Sequence, residues 1–323
     1  MIYSMLMMKE KFIAPSINIE NLDPLAYGVN IIKEARAGDH TPVVQLHQRY
    51  GMILFMISVG LSVTMGLMRV INLAHGGFAM LGGVVAHVLM SEAGVGYVPA
   101  ALLGIAATVA LAWPLERLIY RRIYGFGDLQ QVLATIGLTF LMIATVNRLQ
   151  GSTLLALPLP GGLAQSVDLG FRTLPLHRMV VIGVGVAVII GLWLLIDRTR
   201  FGIRLRAAVD NRATAGAIGI NTGLIYSATF CLGAGLAALG GILGAEMLPI
   251  EAYYPLRYMV LFLVVVAVGG MGSIAGSFAA ALGLGLIETA SRYLVPEYGT
   301  IFYFACIIVF LAVRPKGLWG RLA

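Results

Sequence analysis

The sequence predicts an all-α membrane protein, a polytopic bundle of about eight to nine transmembrane helices, and three observations carry that prediction. Hydrophobic residues make up 59% of the chain and charged residues 11%, against roughly 45–50% and 25% in ordinary globular domains. Mean hydropathy is +0.90, and the apolar residues gather into runs near the ~20 residues that a bilayer core requires. The 40 glycines fit the same class, because glycine lets membrane helices approach closely.

Taken in order, residues 1–48 form a distinct N-terminal extension that mixes charges, prolines and isolated apolar residues without a spanning run. Its apolar start, Met1 to Met8, is too short to span and lacks the basic region and small-residue cleavage site of a signal peptide. A surface helix, a disordered leader and a misplaced start all fit it, and the residues do not choose among them. Residues 49–323 form the membrane domain, with apolar helices expected at about 50–69, 72–91, 97–115, 130–148, 178–197, 222–245, 256–272, 275–294 and 299–314. Positive charge sets the orientation. Arg69, the turn that carries Glu116, Arg117, Arg121 and Arg122, the arginines of 198–212 and the tail place twelve basic residues on the cytoplasmic side, against five outside (Arg148, Arg172, Arg178, Arg257, Arg292). Nine spans with a cytoplasmic C-terminus put the extension outside, an uncomfortable place for so charged a segment. The longest external loop, 149–176, is rich in Pro and Gly and lacks periodicity, so no element is predicted there.

The net charge of +7 is a topology signal rather than a nucleic-acid one, because the basic residues lie between apolar runs and form no stripe. Cys231 and Cys306 fall inside apolar runs, where free Cys behaves as a small hydrophobe. They imply neither a disulfide nor a metal site. No GxSxG, HExxH or Walker A motif supports an enzyme.

Three stretches interrupt the apolar pattern. The loop 198–221, RTRFGIRLRAAVDNRATAGAIGIN, carries five arginines and sets small residues around Asp210, Asn211 and Arg212. That pattern suits a short helix at the membrane surface which another protein approaches closely. The second, RVINLAHGGFAMLGG from Arg69 to Gly83, puts Asn72, His75 and paired glycines, Gly76 first, between two spans. A break of this kind frees backbone polar groups, which a membrane tolerates only where protein or a watery cavity satisfies them. It is therefore expected to line an internal space or the cytoplasmic mouth. For His75, a structural hydrogen bond is favoured over metal ligation, because no second His or Cys stands at a ligand spacing. The third is GGMGSIAG, with Gly269, Gly270, Gly272, Ser273 and Gly276. It lacks the Lys of a P-loop, and its glycines permit a tight turn and close helix contact. Glu288 is an intramembrane acid and so a functional candidate by default, although Ser291 and Arg292 one turn away offer a purely local pairing. Glu246 and Glu251 lie near the external end, facing either an entering substrate or water.

These stretches resemble, in order, four motifs of the inner-membrane permeases of branched-chain amino-acid ABC importers. INLAHG is similar to the family's INFAHG-like signature, with Leu73 in place of phenylalanine. Residues 204–219 resemble its cytoplasmic coupling segment. VGGMGSIAG resembles a VLGGMGSIPGA-like stretch, with Ala275 where proline is common, a departure that bears on turn geometry only. The tail VRPKGLWG, 313–320, resembles the closing RPxGLxG. The resemblance covers roughly 51–320 and leaves the extension out.

It implies an ABC-importer permease fold with the coupling loop at 198–221, seated in a cleft of the ATPase through Arg204, Arg206, Ala207, Asp210, Asn211, Ala213, Ala215 and Gly219. Asn72, His75, Gly76, the glycine stretch with Ser273, and Glu288 become candidates for the translocation path or a hinge. The expected partners are cytoplasmic ABC ATPase subunits, a second and usually different permease chain, a periplasmic or extracellular solute-binding protein and membrane lipid, with no nucleic acid. The chain itself is expected to hold no cofactor or metal, ATP and Mg²⁺ being bound by the ATPase. The location implied is the bacterial inner membrane. The cargo implied is a branched-chain amino acid or a related urea, amide or aromatic acid. The competing reading is a gradient-driven secondary transporter or channel, since such proteins also pair broken helices and place acids near the midplane.

Overall fold

The computed structural model describes residues 12–13, 36–37, 41–68, 70–168, 173–294 and 297–319. The chain divides into two units, Met1–Gln45 and Leu46–Ala323. In the first, β1 (Phe12–Ile13) pairs antiparallel with β2 (Arg36–Ala37). Most of the predicted extension, together with Arg69, Arg172 and the end of the tail, lies outside the described residues.

The second unit is built of helices: α1 (Thr41–Ser62), α2 (His75–Ser91), α3 (Tyr97–Leu115), α4 (Asp128–Gln150), α5 (Leu176–Arg198), α6 (Arg200–Asp210), α7 (Arg212–Ala217), α8 (Thr222–Gly244), α9 (Tyr254–Gly269), α10 (Ile274–Leu294) and α11 (Gly299–Val313). Nine of them overlap the nine predicted apolar runs, α1 starting nine residues before its run and ending seven before the run's end. The described residues contain five helices long and apolar enough to cross a membrane, and four shorter apolar ones at Tyr50–Gly66, His75–Ser91, Tyr254–Gly269 and Gly299–Val313. α1 passes into a π-helical turn at Val63–Leu67 and then the 68–74 break, and α9 stops at Gly270, whose φ of 92° no helix continues through.

The centre of the bundle is α1, whose Ile53, Leu54, Phe55, Met56 and Ile57 are all fully buried. A helix apolar on every side belongs in the middle of a protein. Its neighbours are α8, where Gly240 and Gly244 abut Ile57 and Ile53, and α10, where Phe278 meets Phe55 edge-on at 5.1 Å. α8, α2 and α3 pack on one another, and α9, α10 and α11 form a second group that joins α2 through α9. Small residues set these distances: a methyl on Gly60 of α1 would lie 2.5 Å from the Gly233 carbonyl of α8. α3 and α5 keep most of their apolar surface outward, as helices against lipid do.

The 149–176 loop departs from its prediction. It holds a helical turn at Gly161–Ala164 and a hairpin of β3 (Ser166–Asp168) with β4 (Thr173–Pro175). It is also tied down, by Leu155 N–H to the Ile250 carbonyl at 2.8 Å and by a 2.7 Å hydrogen bond between His87 Nδ1 and the Ala156 carbonyl. Pieces this short are held by backbone pairing, which leaves no side-chain period to read.

Candidate functional site

The 198–221 loop folds as two helices, not one. At its start Gly202 turns against the end of α5, where any Cβ would lie 1.8 Å from the Ile196 carbonyl oxygen. Arg206 then donates from Nη1 to that same carbonyl at 2.7 Å and lies 3.4 Å from Asp197. Between α6 and α7 the chain is extended at Asn211, whose side chain caps α7 by accepting from Thr214 N–H at 3.0 Å. The next cap, Asn221, does the same for α8 through Leu224 N–H. Arg204, Asp210, Ala213 and Gly219 are exposed and Ala207 is half-buried, whereas Ala215 points inward, 2% exposed. The outward face is therefore Asp210 to Thr214 with Gly216 to Gly219, and Ala215 holds it to the bundle.

Protein groups satisfy much of the break before α2, leaving Asn72 Nδ2 and His75 Nδ1 without a partner among the described residues. Gln131 Oε1 of α4 accepts from Ile71 N–H at 3.0 Å, and Thr135 Oγ1 accepts from Leu73 N–H at 3.3 Å. Asn72, 1% exposed, accepts at Oδ1 from Ala74 N–H at 3.1 Å and from the Tyr120 hydroxyl at 2.8 Å. His75, 2% exposed, hydrogen-bonds the Ile57 carbonyl through Nε2 at 2.9 Å, and Gly76 lies against Pro255 of α9.

Tyr120 leads to a residue that the sequence pattern marks only as a loop charge. α3 contains Pro114 and passes into a π-helical turn at Glu116–Tyr120. There Glu116 is completely buried, accepting at Oε1 from the Tyr124 hydroxyl at 2.9 Å and at Oε2 from Ser227 Oγ of α8. The Tyr124 ring meets that of Tyr226 at 5.4 Å. Tyr226 in turn donates to the Ala208 carbonyl of α6 at 3.4 Å and carries the Arg212 guanidinium over its ring at 5.2 Å. A continuous set of contacts thus runs from α6 and α7 to Tyr226 of α8, on to Tyr124 and Glu116 in and after the π-helical turn, back to α8 at Ser227, and through the adjoining Tyr120 to the Asn72 break. The four-residue spacing of Glu116, Tyr120 and Tyr124, directly after a proline, was the available signal that these residues share an inward face.

The glycine stretch forms a hub. The turn at 270–272 places Gly272, with φ of 81°, against Gly66 in the first π turn so closely that a Cβ on Gly66 would lie 1.9 Å from Gly272 N. Ser273 Oγ accepts from Gly276 N–H at 2.9 Å, and Gly276 abuts the Gly269 carbonyl. The tail docks on the same turn. Leu318 N–H donates to the Val268 carbonyl at 2.8 Å and Trp319 N–H to that of Gly269 at 3.2 Å, taking up carbonyls that the end of α9 leaves free. Three of the sequence stretches thus converge at one end of the bundle through Gly66, Gly272 and the tail, and the fourth reaches them through Tyr226 and Tyr120.

Glu288 stands apart. It pairs with Arg292 at 2.8 Å, the local partner foreseen, while Ser291 donates instead to the Ile287 carbonyl at 2.6 Å. Glu251 pairs with Arg257 at 2.6 Å, and Glu246 lies 3.9 Å from His177.

Among known proteins, the model of the family described as "Branched-chain amino acid transport system / permease component" matches residues 48–311. The high-affinity branched-chain amino acid transport system permease protein LivH of Escherichia coli (strain K12) is 29% identical over 282 residues, covering 82% of this chain and 91% of LivH. BraD of Pseudomonas aeruginosa, described in the same words, is 28% identical over 279 residues, with the same coverage. A separate local match of 34 residues is 62% identical to 3-oxoacyl-[acyl-carrier-protein] synthase 1 of Buchnera aphidicola, 10% of this chain and 8% of that enzyme, a stretch too short to show a shared family.

Proposed function

Because the chain belongs to the branched-chain amino acid transport system permease family, we propose that it imports branched-chain amino acids or a related small solute, driven by ATP hydrolysed on a separate subunit. It is a multi-pass inner-membrane transport subunit. Its four shorter apolar helices complete a set of nine crossings with the five longer ones. Cytoplasmic ABC ATPases hold ATP and Mg²⁺, a second permease chain completes the pore, and a solute-binding protein delivers the cargo to the external end.

The observation that carries this reading is the outward face of α7. Asp210, Asn211, Ala213 and Gly219 are exposed there, on helices anchored from behind by Ala215, Arg206 and Tyr226. A small-residue surface on a rigid support suits an ATPase cleft, and the contacts behind it provide the route inward. Arg204 and Ala207 extend that surface along α6. The Gly66–Gly272 crossing, with Gly269, Gly270, Ser273 and Gly276, is the hinge at which the two helix groups change angle, and Asn72, His75 and Gly76 brace it.

Ala213→Trp and Asp210→Lys are expected to lower leucine uptake at least about tenfold and to abolish co-purification of the ATPase, since losing a central interface contact costs about 2 kcal/mol or more. The melting temperature of the purified chain is expected to stay unchanged, because both side chains are exposed. Ala215→Trp, by contrast, lowers it. Full transport with the normal ATPase bound in both exposed variants would show that α7 is not the docking surface.

A further inference from the structure

At the end of the bundle opposite the coupling helices lies a cavity of about 680 Å³, bordered by Leu248, Arg257 and Leu261 near the start of α9, Glu288 and Arg292 on α10 and Tyr303 on α11. Its position follows from chain direction: α8 leaves the coupling segment and reaches the far end at Gly244, where α9 begins. The volume lies within the ~300–1,000 Å³ of small-molecule sites.

The lining has an unusual composition for this chain. Both signs of charge are present, the guanidinium groups of Arg257 and Arg292 exposed and Glu288 largely enclosed, its side chain 14% exposed. Each arginine is tied to a carboxylate through one nitrogen, which leaves further N–H donors of its five-donor fork. Glu288 gives only Oε1 to Arg292. Its Oε2 is buried, and the Tyr50 hydroxyl on the cavity wall is hydrogen-bonded to this carboxylate, which keeps acceptor capacity to spare. The hydroxyl of Tyr303, a residue only 2% exposed that borders the cavity, has no hydrogen-bond partner among the described residues. A buried hydroxyl without a partner is costly unless something completes it. Beside them, Leu248, Leu261 and Phe304 supply an apolar wall.

We propose that this cavity is an entry site for a zwitterionic α-amino acid with an aliphatic side chain. Arg257 and Arg292 receive its carboxylate through their remaining N–H donors, and Glu288 Oε2 with the Tyr303 oxygen accepts from its ammonium group. The aliphatic chain lies on the leucine and phenylalanine wall. Pairing both charged ends at once excludes simple carboxylates and amines, which leave one of the two charged sets unanswered. This assignment rests on the import reading above for its place at the delivering end. It adds residues that none of the four motifs contains, of which only Glu288 is a candidate from the sequence.

The test is ligand protection in the full-length chain. Thr300, exposed at the cavity rim, is changed as Thr300→Cys in a background of Cys231→Ala and Cys306→Ala, and the reaction of the introduced thiol with a maleimide is timed. L-leucine is expected to slow the reaction several-fold, whereas 4-methylpentanoate and 3-methylbutylamine at the same concentration do not. Glu288→Gln and Tyr303→Phe, added singly, are expected to remove the protection and to raise the KM for leucine uptake while kcat stays close to that of the parent. An unchanged rate with leucine overturns the site whether or not the parent chain imports leucine. So does equal protection by the carboxylate or the amine alone, or a disulfide-linked dimer through the introduced thiol, which would show a second copy covering the cavity. Protection by leucine in a chain that imports none overturns the import reading and leaves the site standing.

Discussion

Gly66→Ala is expected to reduce leucine uptake at least about tenfold and to lower the melting temperature of the purified chain, an effect out of proportion to one methyl group. The added Cβ would sit 1.9 Å from Gly272 N and 2.0 Å from its Cα. Both are backbone atoms, so no rotamer change relieves the clash. Overpacking of this kind typically costs about 1–3 kcal/mol, and about 1.4 kcal/mol is already a factor of ten in an equilibrium. Gly272 has little freedom to retreat, because its φ of 81° is fixed by the turn that the tail and α10 also grip. Gly272→Leu is expected to be at least as damaging, combining the crowding with a left-handed backbone that a branched side chain resists. Gly137→Ala is the matched control, since an added Cβ there meets nothing within 4 Å. Normal uptake and melting in Gly66→Ala would mean that the crossing of the two turns is not a close one.

The second large effect is expected at Glu116. Glu116→Leu removes the acceptor from the Tyr124 hydroxyl, and a buried donor left unpaired costs about 1–3 kcal/mol. Ser227 suffers less, because its Oγ also lies 3.1 Å from the Gly223 carbonyl and donates there instead. Uptake and melting temperature are both expected to fall in Glu116→Leu and to fall less in Glu116→Gln, whose amide oxygen still accepts. The decisive variant is the double one. Adding Tyr124→Phe to Glu116→Leu removes both partners, and is expected to recover much of the stability while leaving import impaired, because the hydrogen-bonded link between α8 and the π-helical turn after α3 is then gone. A double variant that recovers import along with stability would assign the network to packing alone. One that recovers neither would show that Tyr124 is not the group that Glu116 satisfies.

How far the sequence disclosed this arrangement depends on the kind of force involved. The nine apolar helices were legible, because burial of apolar surface leaves a mark at every position of a run, although the first helix begins at Thr41 and ends at Ser62 rather than spanning 50–69. The 198–221 loop was legible as a polar island, yet its division into two helices at Asn211 was not, since capping depends on a single side chain meeting a single N–H. The inward turn of Ala215 was equally hidden, because small residues look alike whether they face a partner or their own bundle. The 149–176 loop concealed a hairpin whose pairing is made by backbone. Glu116 was read as one charge of a turn, and only the packing of α8 across it shows a carboxylate held by two hydroxyls. The motifs at Asn72, Gly272 and the tail each showed locally that the chain breaks, but not that the breaks meet. That meeting is a tertiary fact, made by Gly66 and by two N–H groups of the tail.

The proposed import is powered by ATP at the face bearing α7. Right-side-out membrane vesicles containing the chain with its partner subunits and binding protein measure this directly, through uptake of labelled L-leucine with and without ATP trapped inside. The expected result is uptake that requires internal ATP, stops with orthovanadate and survives a protonophore that collapses the ion gradient. Uptake that persists without ATP and disappears with the protonophore would contradict it, and would make the chain a gradient-driven transporter.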